Sequence, residues 1–174
     1  MEELDKATQS GGAIETLQQA RDEGLTRFLG ITGHGMDVPA IFLEALARFD
    51  FDTMMFPINP VLYGYPEYRA NTERLLKKCV ERDVGVMTIK SVAKQPWAGR
   101  EKTHTTWYEP YALQDKVNEG VHFALSQPGV TGIPSAGDTR ILPMVIEATK
   151  HYTSMNETEQ ETLITRSKQL ETIF

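Results

Sequence analysis

Hydrophobic positions along the chain follow two spacings, and the changes between them predict the order of its elements. Uninterrupted apolar runs indicate buried strands, whereas apolar residues three to four positions apart indicate helices. Four strands are predicted from such runs, at 27–31, 52–57, 85–90 and 129–133. A helical spacing follows each strand, directly after the first and the fourth and after an intervening loop behind the second and the third. The chain is therefore predicted to alternate strand and helix through four units.

Two further helices flank these units. One is predicted at 13–23, where Gly24 ends it as a C-terminal cap, and one from about Asn156, where Glu159 completes a capping box. A long loop is predicted at 91–110. The helix positions predicted to be buried include Ile14, Leu17, Ala20, Val38, Ile41, Phe42, Ala45, Leu46, Leu75, Leu76, Cys79, Val80, Val117, Val121, Ala124, Leu125, Ile141, Leu142, Val145 and Ile146.

Strands that alternate with helices imply parallel pairing through crossover connections. The runs lack polar alternation, which is typical of strands covered on both faces. Two α/β architectures fit this order: a doubly wound open sheet, or part of a (β/α)8 TIM-type barrel. A full barrel takes about 250 residues, and the 174 residues here supply units for half of one. We expect residues 1–174 to form a single domain.

Composition limits the classes of partner. The net charge of −6 argues against nucleic acid and anionic membranes, because those partners favour a basic surface. No apolar run approaches the roughly 18–20 residues that span a bilayer, and the polar, acidic N-terminus does not resemble a secretory signal. The single cysteine, Cys79, lies in a helical apolar pattern, so we expect a buried filler. These features predict a cytoplasmic protein.

Candidate chemistry lies at the carboxyl ends of the four strands, where α/β proteins bind ligands. These ends comprise residues 32–34, 57–59, 89–91 and 134–137, and most contain small or hydroxyl side chains. Backbone N–H groups at a helix entry favour a phosphate or another polar cofactor group. The alternative is that these glycines and serines only form tight turns.

Two side chains at these ends have an open interpretation. Lys90 stands where barrel aldolases place a Schiff-base lysine. The alternative is a lysine whose side chain extends to solvent or pairs with a carboxylate. His34 is an acid–base or ligand candidate, or a loop histidine that bonds nearby backbone. The four histidines lack a metal-ligand spacing, so no metal is predicted.

A standard dinucleotide fingerprint is disfavoured. Gly33-His34-Gly35 opens like GxGxxG, but Val38 holds the third glycine position. The next predicted strand ends in Pro57 without the acidic residue that would bind the ribose.

Four segments together resemble the C-terminal half of aldo-keto reductases. They read GLTRFLGITGHG, FDTMMFPINP, LLKKCVERDVGVMTIKSVA and PGVTGIPSAGD, in the order and spacing of strands five to eight of that family. The match runs from about Gly12 to the end, and the TGHG and TTWYEP forms are similar to a divergent bacterial branch of predicted oxidoreductases. The resemblance implies a TIM-type barrel that binds NADP(H) or NAD(H) and transfers hydride to or from a carbonyl.

The resemblance also implies which residues contact the cofactor. Thr32 stands at the family's serine beside the nicotinamide carboxamide, and Met55 stands at its glutamine. Gly33 stands at its asparagine, so that only the Gly33 backbone N–H is available there. Arg140 is the cation nearest to the loop that takes the adenosine 2′-phosphate. The implied cofactor-binding residues are Thr32, Gly33, His34, Met55, Asn59, Ile89, Lys90, Ser135, Ala136, Gly137 and Arg140.

The family's catalytic aspartate, tyrosine, lysine and histidine belong to its first four strands, and nothing here matches them. We therefore expect the cofactor-binding half of an NAD(P)H-dependent oxidoreductase, without catalytic residues and inactive towards a carbonyl substrate on its own. A regulatory nucleotide-binding module, a non-functional remnant and a Schiff-base lyase through Lys90 stay open. Because a half barrel leaves strand edges and an inner face unpaired, we expect self-association, or coverage by the N-terminal segment or the 91–110 loop.

Overall fold

The computed structural model describes residues 1–174, which form eight helices and six strands. The helices are α1 (Glu2–Thr8), α2 (Ala13–Asp22), α3 (Val38–Arg48), α4 (Pro60–Tyr63), α5 (Pro66–Glu81), α6 (Gln114–Leu125), α7 (Leu142–Lys150) and α8 (Glu157–Ser167). The strands are β1 (Gly30–Thr32), β2 (Thr53–Pro57), β3 (Gly85–Ile89), β4 (Ala93–Pro96), β5 (Tyr108–Pro110) and β6 (Val130–Gly132).

Four strands form a parallel sheet in the order β1-β2-β3-β6. They coincide with the four predicted strands to within a few residues, so the predicted α/β order with parallel pairing is confirmed. The sheet is open, with β1 and β6 as its edges, and does not close into a barrel. Strands β4 and β5 form a separate antiparallel hairpin.

Only one face of the sheet is covered by helices. Met54, Phe56 and Val86 point into the main core, where their side chains are at most 1% exposed. On the opposite face, Thr32 and Met87 are exposed. The prediction that both faces are covered is therefore wrong for this chain. We call the uncovered face the inner face, since it corresponds to the interior of a closed barrel.

The inner face is covered by neither segment that the sequence suggested. Helix α1 packs with α2 and α3, and its buried Leu4 belongs to the core on the helical side. The 91–110 segment folds into the β4–β5 hairpin instead of lying as a loop across the sheet. Glycine and threonine make up much of the inner face, although Met55, Pro57, Met87 and Ile89 also lie on it, so this face is only partly apolar. Its members include Gly30, Thr32, Thr53, Met55, Gly85, Met87, Thr131 and Gly132.

Several residues on the predicted helix faces are exposed. Leu17 is 40% exposed, Val80 59%, Leu142 42% and Ile146 46%. Three of them lie on α2 and α7, the helices that adjoin the edge strands along the chain. Helix α7 begins at Leu142, because residues 138–141 form a turn ahead of it.

The sequence pattern missed three elements. Helix α1 is short, and a single buried leucine supports its packing. Helix α4 lies in a segment rich in proline, glycine and tyrosine, and the Asn59 side chain caps it. The hairpin is held by Glu109, which bonds Lys94, Gln95 and Arg100, a set of polar contacts with no hydrophobic periodicity.

The chain contains neither a membrane-spanning helix nor a cluster of metal-ligand side chains. No helix is long and apolar enough to cross a bilayer, and no three histidine, cysteine or acidic side chains cluster as metal ligands would. The Cys79 thiol is buried in the core, and burial raises its pKa to about 11.

Candidate functional site

Parallel pairing brings the predicted site residues to one edge of the sheet. The register sets Thr32 beside Met55, and it sets Pro57 beside Ile89. The loops that follow β1, β3 and β6 therefore leave the sheet at the same end. Their residues do not, however, line a single cavity.

The first cavity lies at the end of β1 and has a volume of about 770 Å³. Thr32, Gly33 and His34 line it together with side chains of α1 and α3. A Cβ on Gly33 would approach the Val38 Cγ2 atom to 2.7 Å, so only glycine fits against α3 here. The Gly33 N–H donates to the Met55 carbonyl at 3.1 Å. We expected this N–H to bond the cofactor's carboxamide. In the structure it is already used within the sheet.

The second cavity lies between the ends of β3 and β6 and has a volume of about 320 Å³. Its lining combines a lysine, two aromatic rings and the small residues of the loop after β6. The residues are Ile89, Lys90, Thr105, Thr106, Trp107, Tyr108, Pro134, Ser135, Ala136 and Gly137. Five predicted site residues, Ile89, Lys90, Ser135, Ala136 and Gly137, are therefore brought together here.

The C-terminal tail links the two cavities. The Phe174 ring stacks on His34 with centroids 6.0 Å apart, and it lies 6.0 Å from the Trp107 ring at a tilt of 52°. Thr172 contacts the Met36 sulfur at 3.8 Å. This contact could not be predicted from the sequence, because a single aromatic residue in a short tail carries no periodicity.

Lys90 has the most unusual backbone at the strand ends. Its φ is +64°, the left-handed region that a residue with a Cβ rarely adopts. Its carbonyl accepts hydrogen bonds from the Ala93 N–H at 3.0 Å and from the Asn59 side-chain amide at 3.1 Å. These two bonds hold the strained conformation and turn the Lys90 side chain into the second cavity.

The Lys90 amine has neither a carboxylate nor a hydrogen-bond partner. Its Nζ lies over the rings of Trp107 and Tyr108, 5.2 Å and 5.0 Å from their centroids. Burial lowers the pKa of this amine, although the two ring faces attract its charged form. The same environment raises the pKa of the Tyr108 phenol to about 12, because burial disfavours the phenolate.

Arg140, in contrast, is already paired. Its guanidinium contacts the carboxylate of Asp138 at 2.6 Å and 3.0 Å, and this carboxylate also accepts from the Thr105 and Arg140 backbone N–H groups. The Arg140 hydrogen bonds, with those backbone donors, hold the pKa of Asp138 well below its usual range. Asp138 thereby joins the loop after β6 to the segment before β5. Lys90, not Arg140, is the unpaired cation beside residues 135–137.

The polar groups of Asn59 and Trp97 are both engaged by the protein itself. Asn59 is 2% exposed, and its Oδ1 accepts from the Leu62 N–H at 2.9 Å while its Nδ2 donates to Lys90. Trp97 is buried and donates to the Thr106 carbonyl at 2.8 Å. Neither side chain has a free polar group for a cofactor or substrate, whereas Trp107 is 51% exposed at the second cavity.

Comparison with solved structures identifies the fold. The aldo-keto reductase AKR11C1 from Bacillus halodurans matches over 88% of this chain in its holo and apo forms, with a TM-score of 0.58 and 15% and 16% identity. The thermostable aldo-keto reductase Tm1743, solved with the inhibitor epalrestat, matches over 87% with a TM-score of 0.51 and 16% identity. No protein-family model and no curated protein matches the sequence.

The chain covers 54%, 55% and 52% of those three solved chains, about half of their length. Identities of 15–16% establish the fold alone. The chain therefore has the fold of part of an aldo-keto reductase (β/α) barrel, left open at two strand edges. This outcome confirms the fold that the sequence resemblance predicted.

Proposed function

We propose that residues 1–174 form one partial-barrel domain that binds the nicotinamide dinucleotide of an aldo-keto reductase-type oxidoreductase. The observation that carries this proposal is the unpaired Lys90 cation beside the Ser135–Gly137 loop, at the ligand-binding end of a sheet with this fold. Phosphate groups favour such a cation next to backbone N–H groups.

The available residues fit a dinucleotide in part. Thr32 is exposed on the inner face and its hydroxyl has no partner in the protein, so it is free to bond a carboxamide. Lys90 and Ser135 supply a cation and a hydroxyl for a phosphate. Gly33, Asn59 and Arg140, in contrast, have their polar groups engaged. A bound dinucleotide would supply the hydride. Thr32, Lys90 and Ser135 would hold and orient that dinucleotide.

Nothing at the strand ends replaces the acid that must protonate a carbonyl as hydride arrives. Tyr108 is the nearest phenol, but burial makes it a weaker acid and Lys90 lies over its ring rather than beside its hydroxyl. We therefore expect nucleotide binding without turnover by this chain alone. NADPH oxidation above background with a panel of aldehydes and ketones would contradict this expectation.

A pair of matched substitutions tests the binding proposal. Lys90→Met removes the unpaired cation, and we expect it to weaken NADPH binding about tenfold or more, since a hydrogen bond to a charged group contributes roughly 1.5–3 kcal/mol. Arg140→Met removes a cation that Asp138 already neutralises, and we expect less than about a threefold change. Titration calorimetry with NADPH and NADH measures both variants. Equal losses, or no binding by the unaltered chain, would contradict the proposal.

A further inference from the structure

Lys90 combines three features that together also suit a reaction with a carbonyl group. Its backbone is strained, its amine lacks any carboxylate, and it projects into a cavity of about 320 Å³. Structures retain left-handed non-glycine residues mainly where the surroundings enforce them, and such residues cluster at functional sites. Here the enforcing bonds come from the Ala93 N–H and the Asn59 amide, both on the Lys90 carbonyl.

The other lysines provide a contrast. Lys94 is partly buried nearby, but its amine pairs with Glu109. Lys77 has no carboxylate partner, but it lies exposed on α5. Lys78, on the same helix, pairs with Glu81. Lys90 differs from these three because it is both partly buried and unpaired.

An amine in this setting can act as a nucleophile. A lysine in apolar surroundings has a larger fraction of free amine than a solvated one, and only the free amine attacks a carbonyl carbon. Burial lowers the pKa of the Lys90 amine and so increases this fraction. The Trp107 and Tyr108 rings also form an apolar wall for a substrate chain, and the Ser135 side chain adds a hydroxyl.

We propose that Lys90 captures small aldehydes and ketones as an imine within the cavity between β3 and β6. The amine adds to the carbonyl carbon to give a carbinolamine, and this intermediate loses water as the C=N bond forms. No oxidant or reductant is consumed. The imine requires no cofactor, although it forms on the same amine that the proposed function assigns to a phosphate group.

Reductive trapping tests this proposal. The intact chain is incubated briefly with a low concentration of a small aldehyde, such as propionaldehyde, and cyanoborohydride, and peptide mass spectrometry then locates the reduced adduct. We expect Lys90 to be modified several-fold faster than Lys94 and Lys77, because its amine lies in a cavity without a carboxylate, whereas Glu109 holds the Lys94 ammonium and Lys77 is exposed to solvent. The unaltered chain contains all three lysines, so the comparison does not depend on whether a variant folds.

A variant provides the second arm. Lys90→Arg keeps the positive charge and removes the nucleophile, so the preferred adduct should disappear while labelling at Lys94 and Lys77 is unchanged. Labelling of Lys90 at or below the rate of Lys77 would overturn the proposal. Absence of NADPH binding by the unaltered chain in the calorimetric experiment, with selective trapping retained, would contradict the dinucleotide proposal alone.

Discussion

The sharpest test of the site architecture is Asn59→Ala, because this buried side chain joins two strand ends. Its Oδ1 caps α4 through the Leu62 N–H, and its Nδ2 bonds the Lys90 carbonyl. Losing a helix cap costs about 1 kcal/mol, and losing a buried hydrogen bond costs about 1 kcal/mol or more. We expect Asn59→Ala to lower the free energy of unfolding by about 2–3 kcal/mol.

Two matched variants separate the contributions. Asn156 caps α8 at an exposed position, so Asn156→Ala loses only a cap and should cost about 1 kcal/mol or less. Asn59→Asp keeps a cap acceptor but turns a carboxylate towards the Lys90 carbonyl, so it should be at least as destabilising as Asn59→Ala.

Urea unfolding followed by circular dichroism and tryptophan fluorescence measures all three variants. Equal losses for the two alanine variants, or an Asn59→Asp protein as stable as the unaltered chain, would refute the assigned bond to Lys90. Asn59 would then be free to contact a ligand.

Three other predictions address different parts of the chain. Gly33→Ala places a Cβ 2.7 Å from a Val38 methyl, so we expect a loss of about 1–3 kcal/mol in urea unfolding; an unchanged midpoint would contradict this packing. The depressed pKa of Asp138 implies that its stabilisation is complete above about pH 4 and is lost as the pH falls below that value. Asp138→Asn should therefore flatten the acid limb of a stability–pH profile, and an unchanged limb would oppose that assignment. Ile146→Lys, near the β6 edge, should reduce self-association in light scattering, whereas Val80→Lys, an exposed control on α5, should not; equal effects would exclude an edge contact.

The order of parallel strands was predictable because burial against helices imposes long apolar runs. Strands β2 and β3 match the predicted runs closely. Strand β1 is shorter than its run, since the Leu29 N–H bonds the Asp52 carboxylate instead of continuing the ladder. Such a contact joins residues 23 positions apart, and no local pattern reports it.

The position of the candidate site was predictable from the sequence. Which of its polar groups already have partners within the protein was not. Strand ends follow from strand order, so Thr32, Lys90 and Ser135 were expected at the carboxyl edge of the sheet, where the structure has them. Whether a polar group is free depends on its partner, as the Asp138 pairing of Arg140 illustrates. The contacts of Phe174 with His34 and Trp107 likewise arise through tertiary packing alone.

Helix positions also bear on how the open sheet can associate. In a (β/α) barrel, one helix covers the groove between each pair of neighbouring strands. Helix α2 precedes edge strand β1, and α7 follows edge strand β6. If two copies joined β6 to β1, the α7 of one copy and the α2 of the other would meet at the same groove.

One of those helices would have to leave its place for an eight-stranded ring to close. The inner face is only partly apolar, with Met55, Pro57, Met87 and Ile89 among glycines and threonines, so its burial would offset such a rearrangement only in part. Association through these edges is therefore expected to be open-ended rather than a closed dimer, because a contact that does not close continues to add copies. Particle size in light scattering should accordingly rise continuously with protein concentration, whereas a plateau at twice the chain mass would show that the helices do rearrange.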